Sequence, residues 1–197
     1  MASDVVVVGC SWGGLAALQA VLAPLPRSFE AAVAVAQHRG AESTDGMMAA
    51  LLGTHTALPV EEAEDKLEIG PGRVYLAPPD YHLLVEPDGF ALSVDERVQS
   101  SRPSIDVLFE SAADALGERA LAVVLTGANA DGAAGVVAIK QRGGTTFAQD
   151  PASAERPEMP AAAIATGAVD RVLSLAGLAS VLAERCARTH AGGASAA

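Results

Sequence analysis

Aromatic residues, basic residues and cysteines are all scarce in this sequence of 197 residues. Aromatics make up only 4% of the chain, so Val, Leu, Ala and Ile must fill any core. Thirteen Lys and Arg oppose 24 Asp and Glu, and the formal net charge of −11 disfavours nucleic acid and anionic lipid as partners. Cys10 and Cys186 stand far apart, which predicts two reduced thiols rather than a disulfide framework or a metal site.

Signals for secretion, membranes and metals are lacking as well. No apolar run approaches the roughly 20 residues of a membrane span, and "MASDVVVVG" has no basic segment ahead of a long apolar stretch. We therefore expect a cytoplasmic protein without membrane insertion. His55, His82 and His190 are spaced irregularly, so we expect structural or surface roles for them, no metal and no other cofactor.

What the sequence does contain is an alternation of strand-like and helix-like stretches. Strands are predicted at residues 5–8, 30–38, 57–65, 120–127 and 145–150. Helices are predicted at residues 13–22, 43–53 with Asp45 as a cap, 101–117, 131–144 and twice within 160–190. Residues 72–96 surround a Pro-Asp-Gly turn and predict two or three short antiparallel strands.

This alternation predicts an α/β fold with a doubly wound, mostly parallel, Rossmann-like sheet and an antiparallel hairpin insertion. Nothing in the sequence marks a boundary between domains. We expect residues 1–190 to form one domain and residues 191–197 to form a disordered tail.

Three loops that follow predicted strands each carry one residue of a hydrolytic triad. Ligands of open α/β sheets bind beyond the carboxyl ends of the strands, which selects residues 9–14, 37–40 and 126–132. These loops hold Ser11, His38 and Asp131. An imidazole can take the proton of a serine hydroxyl, and a buried carboxylate can orient the imidazole. The N–H groups of Trp12 and Gly13, near the start of the first helix, are candidate donors to an oxyanion.

Each of the three residues also has an ordinary structural interpretation. Ser11 fits a helix N-cap, His38 a surface or hydrogen-bonding residue, and Asp131 a turn residue or helix cap. Two other motifs match "GCSWGG" less well. In the α/β-hydrolase motif the acid and then the histidine follow the serine, but only His190 follows Asp131. A dinucleotide-binding turn requires a glycine where Ser11 stands.

Seven segments in this order resemble one known family. They are "VVGCSWGGL", "QHR", "RVYLAPPDYH", "SRPSIDVLFESAA", "VVLTGANADGAAG", "GGTTFAQD" and "MPAAAIATGAVDRVL". Together they resemble the catalytic domain of the CheB-type chemotaxis protein-glutamate methylesterases over roughly residues 5–185. The resemblance implies a doubly wound sheet with a hairpin, Ser11 as nucleophile, His38 as general base and Asp131 as the residue that orients His38.

The resemblance also implies an activity and partners. Members hydrolyse γ-glutamyl methyl esters on the signalling helices of chemoreceptors and release methanol, and some deamidate receptor glutamines. Methylated receptor helices would be the partners, and no cofactor would be required. Two other functions stay open: a weakly active or inactive chemosensory adaptor of the same fold, and an esterase of this fold with another substrate.

Three departures from the family pattern bear on these expectations. Trp12 stands where a small or Thr-like residue is common, so it either walls the substrate cleft or packs over a neighbouring loop. Ala128 and Asn129 stand where Met and Gly are typical, and the position of Ala128 is associated with the oxyanion region. The usual N-terminal receiver domain is not in this sequence, which predicts a receiver-free protein with a separate regulatory protein or none, or a fragment.

Overall fold

A computed structural model describes residues 4–40 and 46–191, with side chains up to residue 185. The strands are β1 (Val5–Cys10), β2 (Ala32–Gln37), β3 (Val60–Glu62), β4 (Val74–Leu76), β5 (His82–Glu86), β6 (Gly89–Ser93), β7 (Ala120–Val124), β8 (Thr145–Gln149) and β9 (Arg171–Leu173). The helices are α1 (Gly14–Leu22), α2 (Met47–Gly53), α3 (Ile105–Leu116), α4 (Ala133–Gln141), α5 (Glu158–Ala165) and α6 (Leu175–Ala191).

Seven strands form one parallel sheet in the order β3-β4-β2-β1-β7-β8-β9. From β1 the chain adds β2, places β3 at the edge and inserts β4 between them, then returns to the other side of β1 and adds β7, β8 and β9. Strand order therefore reverses between β1 and β7, and such a switch point leaves a crevice beyond the carboxyl ends of the strands. The predicted doubly wound, mostly parallel sheet is confirmed.

The antiparallel hairpin predicted for the segment 72–96 is confirmed, with two strands rather than three. β5 and β6 pair antiparallel as a separate two-stranded sheet. The segment's first strand, β4, instead lies in the main sheet and pairs parallel with both β2 and β3. The reason is visible in its burial, because all three residues of β4 are buried. Strands covered on both faces are typical of parallel sheets, whereas alternation is typical of hairpins.

Alternate residues of the central strands serve two hydrophobic cores. Val5 and Val7 of β1 face the core under α3, α4, α5 and the hairpin. Val6 and Val8 face the opposite core, which α1, α2 and α6 cover. Because both sheet faces are buried, the ends of the strands are where polar side chains can gather.

Two predictions fall on residues whose structure is not described. Asp45, predicted to cap α2, lies outside the described residues, as do residues 192–197 of the predicted tail. Cys10 is buried and free of any disulfide, and the side chain of Cys186 lies outside the described part. No helix among the described residues has the length and apolar character needed to cross a bilayer.

Candidate active site

Ser11 occupies the turn between β1 and α1. Its N–H donates to the carbonyl of Thr126 at 2.9 Å, and its carbonyl accepts from Gln37 Nε2 at 2.8 Å. The N-cap of α1 is Gly13, with a left-handed φ of 75°, and no side chain caps the helix. Ser11 is therefore not a helix cap, and its hydroxyl has no hydrogen-bond partner among the described residues.

A second loop, at the end of β7, closes against this turn. The Thr126 hydroxyl donates to the Trp12 carbonyl at 2.9 Å. A Cβ built on Gly127 would lie 2.9 Å from Ser11 Cβ and 2.4 Å from Met159 Cε. Only glycine allows the Ser11 turn and α5 to approach this closely, so the β7 loop holds Ser11 in place through backbone contact.

His38 directly follows β2 and is bound to Asp131. Its Nε2 lies 2.7 Å from Asp131 Oδ2, while its backbone N–H donates to the Cys10 carbonyl at 3.0 Å. The Asp131 side chain is fully buried and that of His38 is 11% exposed. Because an ionised carboxylate only accepts hydrogen bonds, Nε2 carries the proton and Nδ1 keeps its lone pair when the ring is neutral.

The carboxylate of Asp131 sits at the N-terminus of α3. Besides His38, it accepts from the backbone N–H groups of Ile105 at 2.8 Å and Asp106 at 2.9 Å, and from the Ser104 hydroxyl at 3.0 Å. Burial alone raises the pKa of Asp131, but the bonds from His38 and the two N–H groups outweigh it and lower the pKa. Asp131 is thus held ionised beside His38.

The free nitrogen of His38 faces two polar side chains. Ser101 Oγ and Asn129 Nδ2 both lie 3.5 Å from Nδ1. Asn129 Oδ1 accepts from the Asp131 N–H at 3.2 Å, which identifies the amide nitrogen as the atom facing His38. Among the residues that the structure describes, those with positive φ other than glycine are Lys66, Asp80, Gln99 and Ser100. Asn129 is not among them, so this position does not require glycine.

His38 separates two openings on the surface. One is a cleft of about 550 Å³ lined by Ser11, Trp12, Gly13, Gly14, Leu15, Ala16, Gln19, Gln37 and His38. The other, of about 240 Å³, is lined by His38, Arg39, Gly40, Arg97, Ser100, Ser101 and Arg102. Ser11 and His38 thus share one cleft, although no hydrogen bond joins them among the described contacts. Catalytic hydrogen bonds are often open in a site without substrate.

The candidate oxyanion residues differ in placement. The N–H groups of Trp12 and Gly13 have no hydrogen-bond partner among the described residues, and both residues line the cleft. Ala128 is exposed and is not part of that lining among the residues described. The indole of Trp12 donates from Nε1 to Glu155 Oε1 at 2.7 Å, so the side chain does rest on a neighbouring loop.

Sequence reasoning missed several residues that support the site. Gln37 binds the Ser11 carbonyl and accepts from Cys10 Sγ at 2.8 Å. Asp106 Oδ1 accepts from the N–H groups of Gly132 at 2.9 Å and Gly135 at 2.7 Å. Asp106 carried a readable signal, because it shares a helix face with the apolar Phe109, three residues on. The only signal for Gln37 was its place in the segment "QHR", and Cys10 carried none.

The other histidines whose side chains are described do not line the cleft that holds Ser11 and His38. His82 is buried, accepts from the Ser104 N–H at 3.1 Å and contacts the Glu96 carbonyl through Nε2, also at 3.1 Å, so its role is structural. His55 is exposed beside Gln19, and the side chain of His190 lies outside the described part. The described residues contain no cluster of three or more potential metal ligands.

Comparisons with known proteins agree with this arrangement. The CheB methylesterase family model matches residues 6–182. A Leptospira interrogans protein, named as a protein-glutamate methylesterase/protein-glutamine glutaminase, is 46% identical over 179 residues, which cover 90% of this chain and 92% of that protein. The protein-glutamate methylesterase FrzG of Myxococcus xanthus is 42% identical over 90% of this chain and 53% of its own length.

A solved structure gives the same result for the fold. The catalytic domain of the Thermotoga maritima CheB methylesterase superposes with a TM-score of 0.90 at 33% identity, covering 94% of this chain and all of that chain. The family model spans the sheet and the three loops that carry Ser11, His38 and Asp131. This chain belongs to the CheB methylesterase family.

Proposed function

We propose that this chain is a protein-glutamate methylesterase with Ser11 as nucleophile, His38 as general base and Asp131 as the residue that orients His38. The single observation that carries the proposal is the buried His38–Asp131 hydrogen bond of 2.7 Å at the wall of the cleft that Ser11 also lines. The substrate would be a γ-glutamyl methyl ester on a protein. By analogy with the family, the substrate protein would be a methylated chemoreceptor, and the reaction would take place in the cytoplasm.

The chemistry follows from the proton positions. His38 Nδ1 accepts the proton of Ser11 as Oγ attacks the γ-carbonyl carbon, and Asp131 stabilises the resulting imidazolium. The N–H groups of Trp12 and Gly13 would receive the negative oxygen, since they have no other partner among the described residues. His38 then returns its proton to the departing methoxide, methanol leaves, and an acyl-Ser11 ester remains.

Water completes the cycle by the same route. His38 Nδ1 removes a proton from water, which attacks the acyl carbon, and the second collapse releases the glutamate side chain and the Ser11 hydroxyl. The side-chain amide of a glutamine places its carbonyl in the same position as the ester, and ammonia is then the leaving group. The name of the Leptospira interrogans relative includes a protein-glutamine glutaminase, so we include deamidation by this site in the proposal.

Methanol release from a methylated receptor tests the proposal. We expect Ser11→Ala to lower the rate on the order of 10³-fold or more, because loss of the nucleophile removes the covalent route. Ser28→Ala, at an exposed serine away from the cleft, is the matched control and should keep full activity. A fluorophosphonate probe should label the wild type and the control but not Ser11→Ala.

Three results would overturn the proposal in different ways. Probe labelling of Ser11 without methanol release would indicate an esterase with another substrate. Binding to receptor arrays with neither labelling nor methanol release would indicate an adaptor. Equal methanol release by the wild type and Ser11→Ala would remove Ser11 from the mechanism.

A further inference from the structure

Trp12, the only tryptophan of the chain, is 60% exposed although it directly follows Ser11. Most large apolar side chains of this protein are buried, so an exposed indole leaves a substantial apolar area in water. Exposed aromatic residues beside a functional cleft are frequent centres of protein recognition. We therefore expect a bound partner to cover the exposed indole of Trp12.

The indole is held in one orientation from two sides. Its Nε1 donates to Glu155 Oε1 at 2.7 Å, and Cζ of the Arg156 guanidinium lies 5.6 Å from the ring centroid. The Thr126 hydroxyl reaches the carbonyls of both Trp12 and Arg156, at 2.9 Å and 3.2 Å. A side chain that is already ordered loses little entropy when a partner binds it, so this arrangement favours recognition.

The cleft extends well beyond the reacting groups. From Ser11 and Trp12 it continues along the first turns of α1, past Leu15, Ala16 and Gln19. Its volume of about 550 Å³ is in the range that accommodates whole small-molecule ligands, which leaves room beyond one esterified side chain. Residues that flank the ester in the substrate protein would fill the remainder.

Charge adds a second element beside the indole. Arg156 is exposed and takes part in no ion pair among the residues that the structure describes. In a chain of net charge −11 it is a local cation beside the Trp12 indole. A carboxylate on the substrate, placed close to an apolar side chain, would match the Trp12–Arg156 pair.

We propose that Trp12, held by Glu155 and Arg156, is a specificity-determining residue that binds the segment of the substrate protein flanking the esterified glutamate. This inference rests on the proposed methylesterase function. The segment places an apolar side chain on the indole and a carboxylate near Arg156, both close to the ester in the folded substrate protein. The Trp12 side chain takes no part in bond making, and the oxyanion contact proposed for this residue comes from its backbone N–H.

Trp12 itself supplies a direct binding signal, because no other tryptophan contributes to the fluorescence of the chain. The Ser11→Ala variant, which cannot turn over, is titrated with a methylated receptor fragment that contains no tryptophan. We expect a saturable blue shift and protection from acrylamide quenching as the indole is covered. A spectrum unchanged at saturating fragment would overturn the inference.

Kinetics on two substrates separate recognition from catalysis. Arg156→Ala, which leaves the proposed oxyanion donors of Trp12 and Gly13 untouched, should raise KM for the methylated receptor about tenfold with kcat changed less than twofold, as expected for loss of one recognition contact. Glu155→Ala, which removes the partner of the indole N–H, should also raise KM, by a smaller amount. Hydrolysis of p-nitrophenyl acetate, which is too small to reach the indole and the ester site together, should be unaffected by either substitution.

The controls keep the two hypotheses apart. Val172→Ala, at another exposed apolar residue outside the cleft, should leave both substrates unaffected. An equal loss on the receptor and on the small ester in Arg156→Ala and Glu155→Ala would show that these residues support the catalytic turn rather than bind the substrate protein, and would overturn the inference. Absence of methanol release by the wild type would instead reject the proposed methylesterase function, whatever Trp12 does.

Discussion

At the scale of single residues, the pKa values of two neighbouring buried carboxylates, Asp131 and Asp106, shift in opposite directions. Asp131 receives hydrogen bonds from His38 and two backbone N–H groups, which lower its pKa despite burial. Burial raises the pKa of Asp106 to about 6, and the charges of Asp131 and Glu110 add to the rise, while the N–H groups of Gly135 and Gly132 oppose it. Asp131 therefore stays ionised while Asp106 accepts a proton first.

Asp106 predicts a pH-dependent stability. Its pKa is raised from 3.8 to about 6, so between these values the folded protein binds more protons than the unfolded chain. Its contribution to the free energy of unfolding is full below the lower value and is lost as pH rises through the upper one. We expect the wild type to lose stability relative to Asp106→Asn between about pH 4 and 7.

Urea unfolding of both proteins across this range checks the prediction. The asparagine keeps an oxygen for the N–H groups of Gly132 and Gly135, so the variant should fold. Asp131 is present in both proteins. Because its pKa is lowered, its contribution to the free energy of unfolding is lost only as pH falls below the usual pKa of an aspartate. A stability difference that stays constant from acid to neutral pH would contradict the assignment.

At the scale of elements, α3 and α4 exchange their capping groups. Asp131, just before α4, accepts from N–H groups at the start of α3, and Asp106, in the first turn of α3, accepts from Gly132 and Gly135 at the start of α4. Ser104 joins this exchange, since its hydroxyl accepts from the Val107 N–H at 3.4 Å and donates to Asp131. The helix ends and the candidate site are thus one hydrogen-bonded unit.

Ser104→Ala should affect both stability and catalysis. Loss of an N-cap costs about 1 kcal/mol, and loss of one donor to Asp131 should lower kcat about tenfold by loosening the His38 partner. Ser174→Ala is the matched control, because its hydroxyl accepts from the Gly177 N–H at the start of α6, at 3.2 Å, away from the cleft. Thermal unfolding and methanol release measure the two effects.

The pair of variants gives a clear contrast. Both should lose similar stability, and only Ser104→Ala should lose kcat. If Ser174→Ala lost kcat as well, the effect of Ser104 would reflect general destabilisation rather than its bond to Asp131.

At the scale of the whole molecule, the sheet separates the site from much of the packing that stabilises it. The loops that carry Ser11, His38 and Asp131 gather at the carboxyl edge of β1, β2 and β7. Leu178 and Leu182 of α6 are buried at 0% and 2% exposure in the core that α1 and α2 also cover. None of the described α6 residues lines the cleft of Ser11.

Shortening a side chain in this core, away from the cleft, should lower the stability of the protein without lowering its catalytic activity. Leu178→Ala should lower the free energy of unfolding by about 2–5 kcal/mol, because it leaves a cavity between α6 and the sheet. Specific activity per folded molecule at low temperature should match the wild type. Denaturant unfolding combined with active-site titration by a fluorophosphonate measures both, and a lower kcat in the fully folded variant would contradict the separation.

The sequence predicted the parallel sheet but not the place of β4 within it, and the reason is physical. The β-branched run of β1 and the apolar strand β7 predicted a doubly wound parallel sheet, since each stretch satisfies a local pattern. Residues 74–76 lie in the segment that predicts two or three antiparallel strands, yet they form β4 of the main sheet, because its parallel partners β2 and β3 lie outside that segment. Local pattern therefore failed where pairing depends on the rest of the sheet.

Ser11, His38 and Asp131 could be selected from the sequence because parallel strands end at a common edge, so loops far apart in the chain meet there. The sequence by itself therefore determined the fold class and which residues gather at that edge. Only the tertiary structure decided which nitrogen of His38 meets Asp131, that Asp106 joins α3 to α4, and that Trp12 rests on Glu155. Those features depend on side-chain directions and long-range contacts, which no local pattern of residues encodes.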